Sequence, residues 1–187
     1  MNFSSRRFRR LQRESGLANV HPEGCEMSDR IEKEVLLRAP VDRVWRALSD
    51  SSEFGHWFGV KFDEPFQPGM PISGVIVTTK VDTDVAEMQR QYEGKPFKMT
   101  IVEMKPEQLF SFRWHPNAVE PGMYDSNDPT TLVEFKLTKM TQGVLLTVKE
   151  SGFDNIPVEH RAKAFQANEG GWNLMLKVIG EYLAQAA

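Results

Sequence analysis

Cysteine is nearly absent from this chain: Cys25 stands alone among 187 residues. No intrachain disulfide can form, which excludes a disulfide scaffold and fits a reducing cytoplasm, the expected location. No apolar run approaches the ~20 residues that span a bilayer as a helix, so membrane insertion is not expected. The arginines near the N-terminus have no apolar segment behind them, so they do not read as a secretory signal. Metal-binding patterns are missing as well. His21, His56, His115 and His160 do not pair with one another, with Cys25 or with a carboxylate at a metal-site spacing. There is no G-x-S-x-G, no phosphate-cradling glycine loop and no dinucleotide fingerprint. These absences leave no metal, no cofactor and no catalytic residue to assign, and the reading leans away from an enzyme.

Basic charge is scarce outside one short stretch. The net charge is −3, yet residues 1–13 hold five arginines (Arg6, Arg7, Arg9, Arg10 and Arg13) and no acid. The rest of the chain has 18 basic against 26 acidic residues, a net of −8. An acidic body suits neither nucleic-acid phosphates nor anionic lipid, so a nucleic-acid partner is not expected. Residues 1–27 show no sustained hydrophobic period and read as a flexible basic extension unrelated to the fold. The expected folded domain is 28–187.

What is present is an ordinary globular mix, 40% hydrophobic and 26% charged. "RIEKEVLLRAP" alternates and then turns apolar, which predicts a strand closed by Pro40. "VDRVWRALSD" places Val41, Val44, Trp45 and Leu48 at helical spacing. Asp50 and Glu53 stand three apart, as an N-cap and N3 pair, opening a second short helix, "SSEFGHWF". "GVKFD" and "ISGVIVTTK" read as strands, and the polar stretch 81–96 as a loop with a helical turn. Four stronger strands follow: "FKMTIVEM", "EQLFSFRWH", "TTLVEFKLTK" and "VLLTVKES". A long loop at 116–129, carrying Met123 and Tyr124, lies between the second and third. Pro157 opens a last helix that runs to about Ala184. The order predicts an α+β fold: an antiparallel meander with helices on one face.

In the last helix, Phe165, Trp172, Met175, Leu176, Ile179 and Leu183 share one apolar stripe at 100° per residue. Asn168 and Glu169 fall inside that stripe. Gly170 and Gly171 fall on its flank and far side, where they are expected to permit a bend rather than close packing. If Val144, Leu146 and Val148 face inward, Glu150 does too. Whether Glu150 and Glu169 sit at a rim or in a cavity is left open by the pattern.

Taken together, "EVLLRAPVDRVWRALSD", "HWF" at 56–58, "FSFRWH" at 110–115, "ESGFDNIP" at 150–157 and "NEGGWNLMLKVIGEYL" at 168–183 resemble the SRPBCC (START/Bet v 1-like) superfamily. Within it they are similar to the branch related to the C-terminal domain of the activator of heat-shock protein 90 ATPase. The resemblance covers about residues 29–185. It implies a helix-grip fold: a seven-stranded antiparallel sheet curled around a long C-terminal helix, with two short helices after the first strand and a cavity between sheet and helix. The first 27 residues are too short for the N-terminal domain of the eukaryotic co-chaperone, which counts against a chaperone partner. A hydrophobic small molecule is the expected partner, and a homodimer is left open. Candidate lining residues are Trp45, Trp57, Phe58, Phe97, Met99, Phe110, Phe112, Trp114, Phe135, Phe165, Trp172 and Met175. Glu150, Asn168 and Glu169 are the polar candidates for orienting a ligand. His115 reads as a strand-end residue bonded to the loop after it. The working function is small-molecule binding. Alternatives are a cyclase, dehydratase or hydrolase using cavity carboxylates, or a stress-related chaperone-partner module.

Overall fold

The computed structural model describes residues 29–116 and 129–185. The basic extension and residues 117–128 of the long loop, Met123 and Tyr124 among them, lie outside that range. Seven antiparallel strands form one sheet: β1 (Arg30–Leu37), β2 (Val60–Phe62), β3 (Pro71–Ile76), β4 (Pro96–Lys105), β5 (Leu109–Trp114), β6 (Thr131–Met140) and β7 (Gly143–Ser151). Their spatial order is β1-β7-β6-β5-β4-β3-β2. Strands β2 to β7 follow one another as a meander, and β1 returns to close the far edge against β7. The helices are α1 (Val41–Ser49), α2 (Ser51–Phe58), α3 (Thr83–Arg90) and α4 (Val158–Gln185). The sheet curls around α4 in a helix-grip arrangement, as the sequence implied.

Local chemistry explains the starts and stops. The Asp50 carboxylate accepts from the Glu53 N–H at 2.9 Å and caps α2. Gly59 ends that helix at φ 88°, a conformation that disfavours side chains. The backbone carbonyl of Pro157 accepts from the N–H groups of His160 and Arg161, opening α4. Two elements differ from expectation, the first being the strand read over "ISGVIVTTK", which ends at Ile76. Residues 83–90, within the stretch read as a loop with a helical turn, form two turns of helix, α3, capped by Asp82 through the N–H groups of Asp84 and Val85. Only Val85 of α3 is buried, so the segment carries almost no apolar period to read.

Alternation on β5, β6 and β7 turns Phe110, Phe112, Val133, Phe135, Leu146 and Val148 inward, each at most 1% exposed. Phe54 of α2 sits at the centre of this core, with the rings of Trp57, Phe58, Phe66, Phe110, Phe112 and Phe135 at 4.9–6.4 Å. From α4, Trp172, Leu176, Ile179 and Leu183 complete it. The outcome is a packed centre, with a cavity toward the β2–β4 side of α4.

Candidate functional site

The cavity has a volume of about 250 Å³. It is enclosed by the end of α2 and start of β2 (Phe58, Gly59, Val60), by Ile76 and Phe97 of β3 and β4, and by Trp114 of β5. Gln89 and Tyr92 close it from α3 and the turn after it, and Ala167, Asn168, Gly171, Trp172 and Met175 from α4. Among the described residues, no lining side chain carries a formal charge.

Six of the residues singled out from sequence line it: Phe58, Phe97, Trp114, Asn168, Trp172 and Met175. The others lie elsewhere. Trp57 is buried and spends its indole N–H on the Ala47 carbonyl at 2.9 Å. Met99, Phe110, Phe112 and Phe135 are core, and Trp45 of α1 packs against that core half-buried. Phe165 stacks edge-on with Phe153 at 5.0 Å. His115 is half-buried at the end of β5 and does not line the cavity. Glu169 turns to the outside, where Lys33 of β1 donates to it at 3.1 Å. It sits at the opposite flank of α4 from the cavity. Residue 169 follows residue 168 by about 100° around the helix, enough to separate them.

The glycine pair also bears on the cavity. Helix α4 runs without interruption through Gly170 and Gly171. Gly171 lines the cavity, and a Cβ added there would meet nothing within 4 Å. Its lack of a side chain therefore leaves space open. Gly170 is exposed and equally free of neighbours.

Behind the cavity wall lies Glu150, fully buried on β7. Register sets it between Ile31 of β1 and Val133 of β6, with its carboxylate on the inner face. Five hydrogen bonds hold it. The Trp114 indole N–H donates at 2.8 Å and the Thr131 hydroxyl at 2.6 Å to one oxygen, Oε1. The Trp172 indole N–H donates at 2.6 Å to Oε2, and the Asn168 amide nitrogen reaches both oxygens, at 2.8 and 3.0 Å. Burial pushes this carboxyl above its ordinary value, while the bonds from Thr131, Trp172, Trp114 and Asn168 pull it back down. Indole N–H groups can only donate, so the carboxyl is held as an acceptor. Three of its four partners are themselves cavity walls. Glu150 thus fixes the orientation of Trp114, Trp172 and Asn168 without lining the cavity.

Sequence reasoning missed Gln89 and Tyr92 because they belong to the segment without period. Gln89 is used structurally at both ends: its amide donates to the Phe58 carbonyl at 2.9 Å, and its oxygen accepts from the Thr79 N–H at 2.8 Å. This pins α3 beside the αL turn at Gly59. Among the described residues no cluster of three or more His, Cys, Asp or Glu could hold a metal ion.

The family model described as "Activator of Hsp90 ATPase homolog 1-like protein" matches residues 38–184. The chain belongs to that family. The matched segment contains every residue described as lining the cavity. Solved structures with the same fold include protein MLL2253 from Mesorhizobium loti, at a TM-score of 0.62 and 17% identity over 84% of this chain and 98% of that one. Protein NE0264 from Nitrosomonas europaea gives 0.59 and 18%, over 84% and 95%. Protein Ms6760 from Mycobacterium smegmatis gives 0.58 and 14%, over 85% and 91%. At these identities the likeness is one of fold. Among curated proteins, none matches the chain by sequence. No helix among the described residues is long and apolar enough to cross a membrane.

Proposed function

We propose that the chain binds a small, largely apolar molecule in the cavity between α4 and the β2–β4 side of the sheet. The observation that carries this is the composition of the walls: two tryptophans, two phenylalanines, a tyrosine and a methionine around about 250 Å³, with few polar groups. Ligand sites typically enclose ~300–1,000 Å³ and combine apolar walls with a few fixed polar groups. The volume here suits a compact ligand. Asn168 supplies the orienting group. Its amide nitrogen is held by Glu150, so its carbonyl oxygen is the acceptor left for a ligand donor.

An enzymatic reading has less support. The carboxylate best suited to proton transfer, Glu150, stands behind the wall with both oxygens engaged, and Glu169 is at the opposite flank of the helix. The test is a ligand-observed NMR screen of compact aromatic and aliphatic molecules against the full chain. Saturable hits that vanish in Gly171→Leu, which fills the cavity, are expected. Hits that persist in that variant, or no hits at all, would overturn the assignment to this cavity.

A further inference from the structure

Glu150 is a buried carboxylate with no counter-charge among the described residues. Its five hydrogen bonds come from two indoles, a hydroxyl and a carboxamide, all neutral donors. Among the described residues no Lys, Arg or His stands in ion-pair range of it. Lys33, on the neighbouring strand, is bound to Glu169, and Lys177 of α4 to Asp82. A buried charge is ordinarily matched by an opposite charge, because neutral donors recover only part of its lost hydration.

The missing positive charge has an obvious place. Trp114 and Trp172 spend their N–H edges on Glu150, so they present π surface and C–H edge to the cavity. Their ring centres lie 5.6 Å apart, and Phe58 is 6.2 and 6.4 Å from them. Donation to a carboxylate polarises an indole toward a more electron-rich ring. Aromatic faces of this kind attract ammonium groups through the ring quadrupole, most strongly for tryptophan. The cavity rim already shows that chemistry: the Lys95 ammonium stands over the Tyr92 ring, 5.0 Å from its centroid. A carboxylate or phosphate seated against Trp114 and Trp172 would instead face the Glu150 carboxylate that both indoles bind.

We infer that the cavity takes a compact organic cation, an amine or a quaternary ammonium, held by the faces of Trp114 and Trp172 with the Glu150 carboxylate as its counter-charge. The inference rests on the ligand-binding reading above and names its ligand class. The test is isothermal titration calorimetry of the full chain with choline and with 3,3-dimethyl-1-butanol, its neutral equivalent in shape. Choline is expected to bind at least about tenfold more tightly, a difference of one decade in Kd. In Glu150→Gln the ratio should fall severalfold, leaving the part that the aromatic faces supply. If that variant is unfolded by circular dichroism, Trp172→Phe replaces it, and a reduced ratio is again expected. A neutral isostere that binds as well as choline overturns the cation class and leaves the binding reading standing. A preference for choline that Glu150→Gln retains in full overturns Glu150 as the counter-charge. If neither compound binds up to millimolar concentration, the compact cation is ruled out, and the fragment screen alone decides the binding reading.

Discussion

Glu150 organises this site although it never touches the cavity. Two indoles, a hydroxyl and an amide converge on it, so removing it would release three cavity walls together. Its burial carries a pH signature. A carboxyl whose folded pKa is raised holds its proton more tightly in the native chain. Its stabilising contribution is complete below the ordinary value of 4.5 and is lost as pH rises through the folded value. Chemical denaturation over a pH series should show the wild type losing stability relative to Glu150→Gln as pH rises above that point; parallel curves would contradict it. Trp172 joins the core, the cavity and the Glu150 bond in one side chain that is 2% exposed. Trp172→Ala should cost roughly 3–5 kcal/mol, the range for large buried aromatics. A loss under ~1 kcal/mol would mean that the core closes over the gap, which close-packed interiors rarely do.

At the scale of elements, α3 and α4 are the two that shape the cavity against the sheet. Helix α3 is tied to α4 where the Lys177 ammonium donates to the Asp82 carboxylate at 2.6 Å. That bond, with the cap bonds from Val85 and Asp84, holds the Asp82 carboxyl below its ordinary value. Asp82→Ala should therefore speed amide hydrogen exchange along α3 while leaving β5–β7 protected; equal rates would show that the cap and ion pair do not hold the helix. The two α4 glycines should separate cleanly. Gly170→Ala should stabilise the chain by up to about 1 kcal/mol through helix propensity, with binding intact. Gly171→Leu should keep the fold, because the new side chain enters open space, and should abolish binding.

Much of this element structure was legible in the sequence, and the exceptions have physical reasons. The strands with strict alternation and the Asp50–Glu53 cap were readable because each signal is local. Helix α3 was not, because its stability comes from a cap, an ion pair to Lys177 and the Gln89 bonds, all but the cap made to residues distant in sequence. The helical wheel identified the buried stripe of α4 but treated Asn168 and Glu169 alike. Only the position of the cavity, on the flank of Asn168, Gly171 and Met175, separates them. That Gly171 lines the cavity was not legible, because a sequence shows a missing side chain, not the space beside it. Glu150 was legible as inward-facing from alternation on β7. Its cage was not, since it draws on β5, β6 and α4 at once.

For the whole molecule, the account is one of a packed half and a hollow half. Between α1, α2 and the β5–β7 part of the sheet the aromatic side chains are buried against one another. Between α4, α3 and the β2–β4 part they line the cavity. The family match spans both halves, so the fold alone does not say which molecule the hollow receives. Native mass spectrometry of freshly purified wild type beside Gly171→Leu tests the central claim most directly. The account predicts a small-molecule adduct on the wild type, extractable into solvent and absent from the variant. A wild type that stays at its bare mass when offered its tightest compound from the screen, or an adduct equally present in both chains, would contradict it.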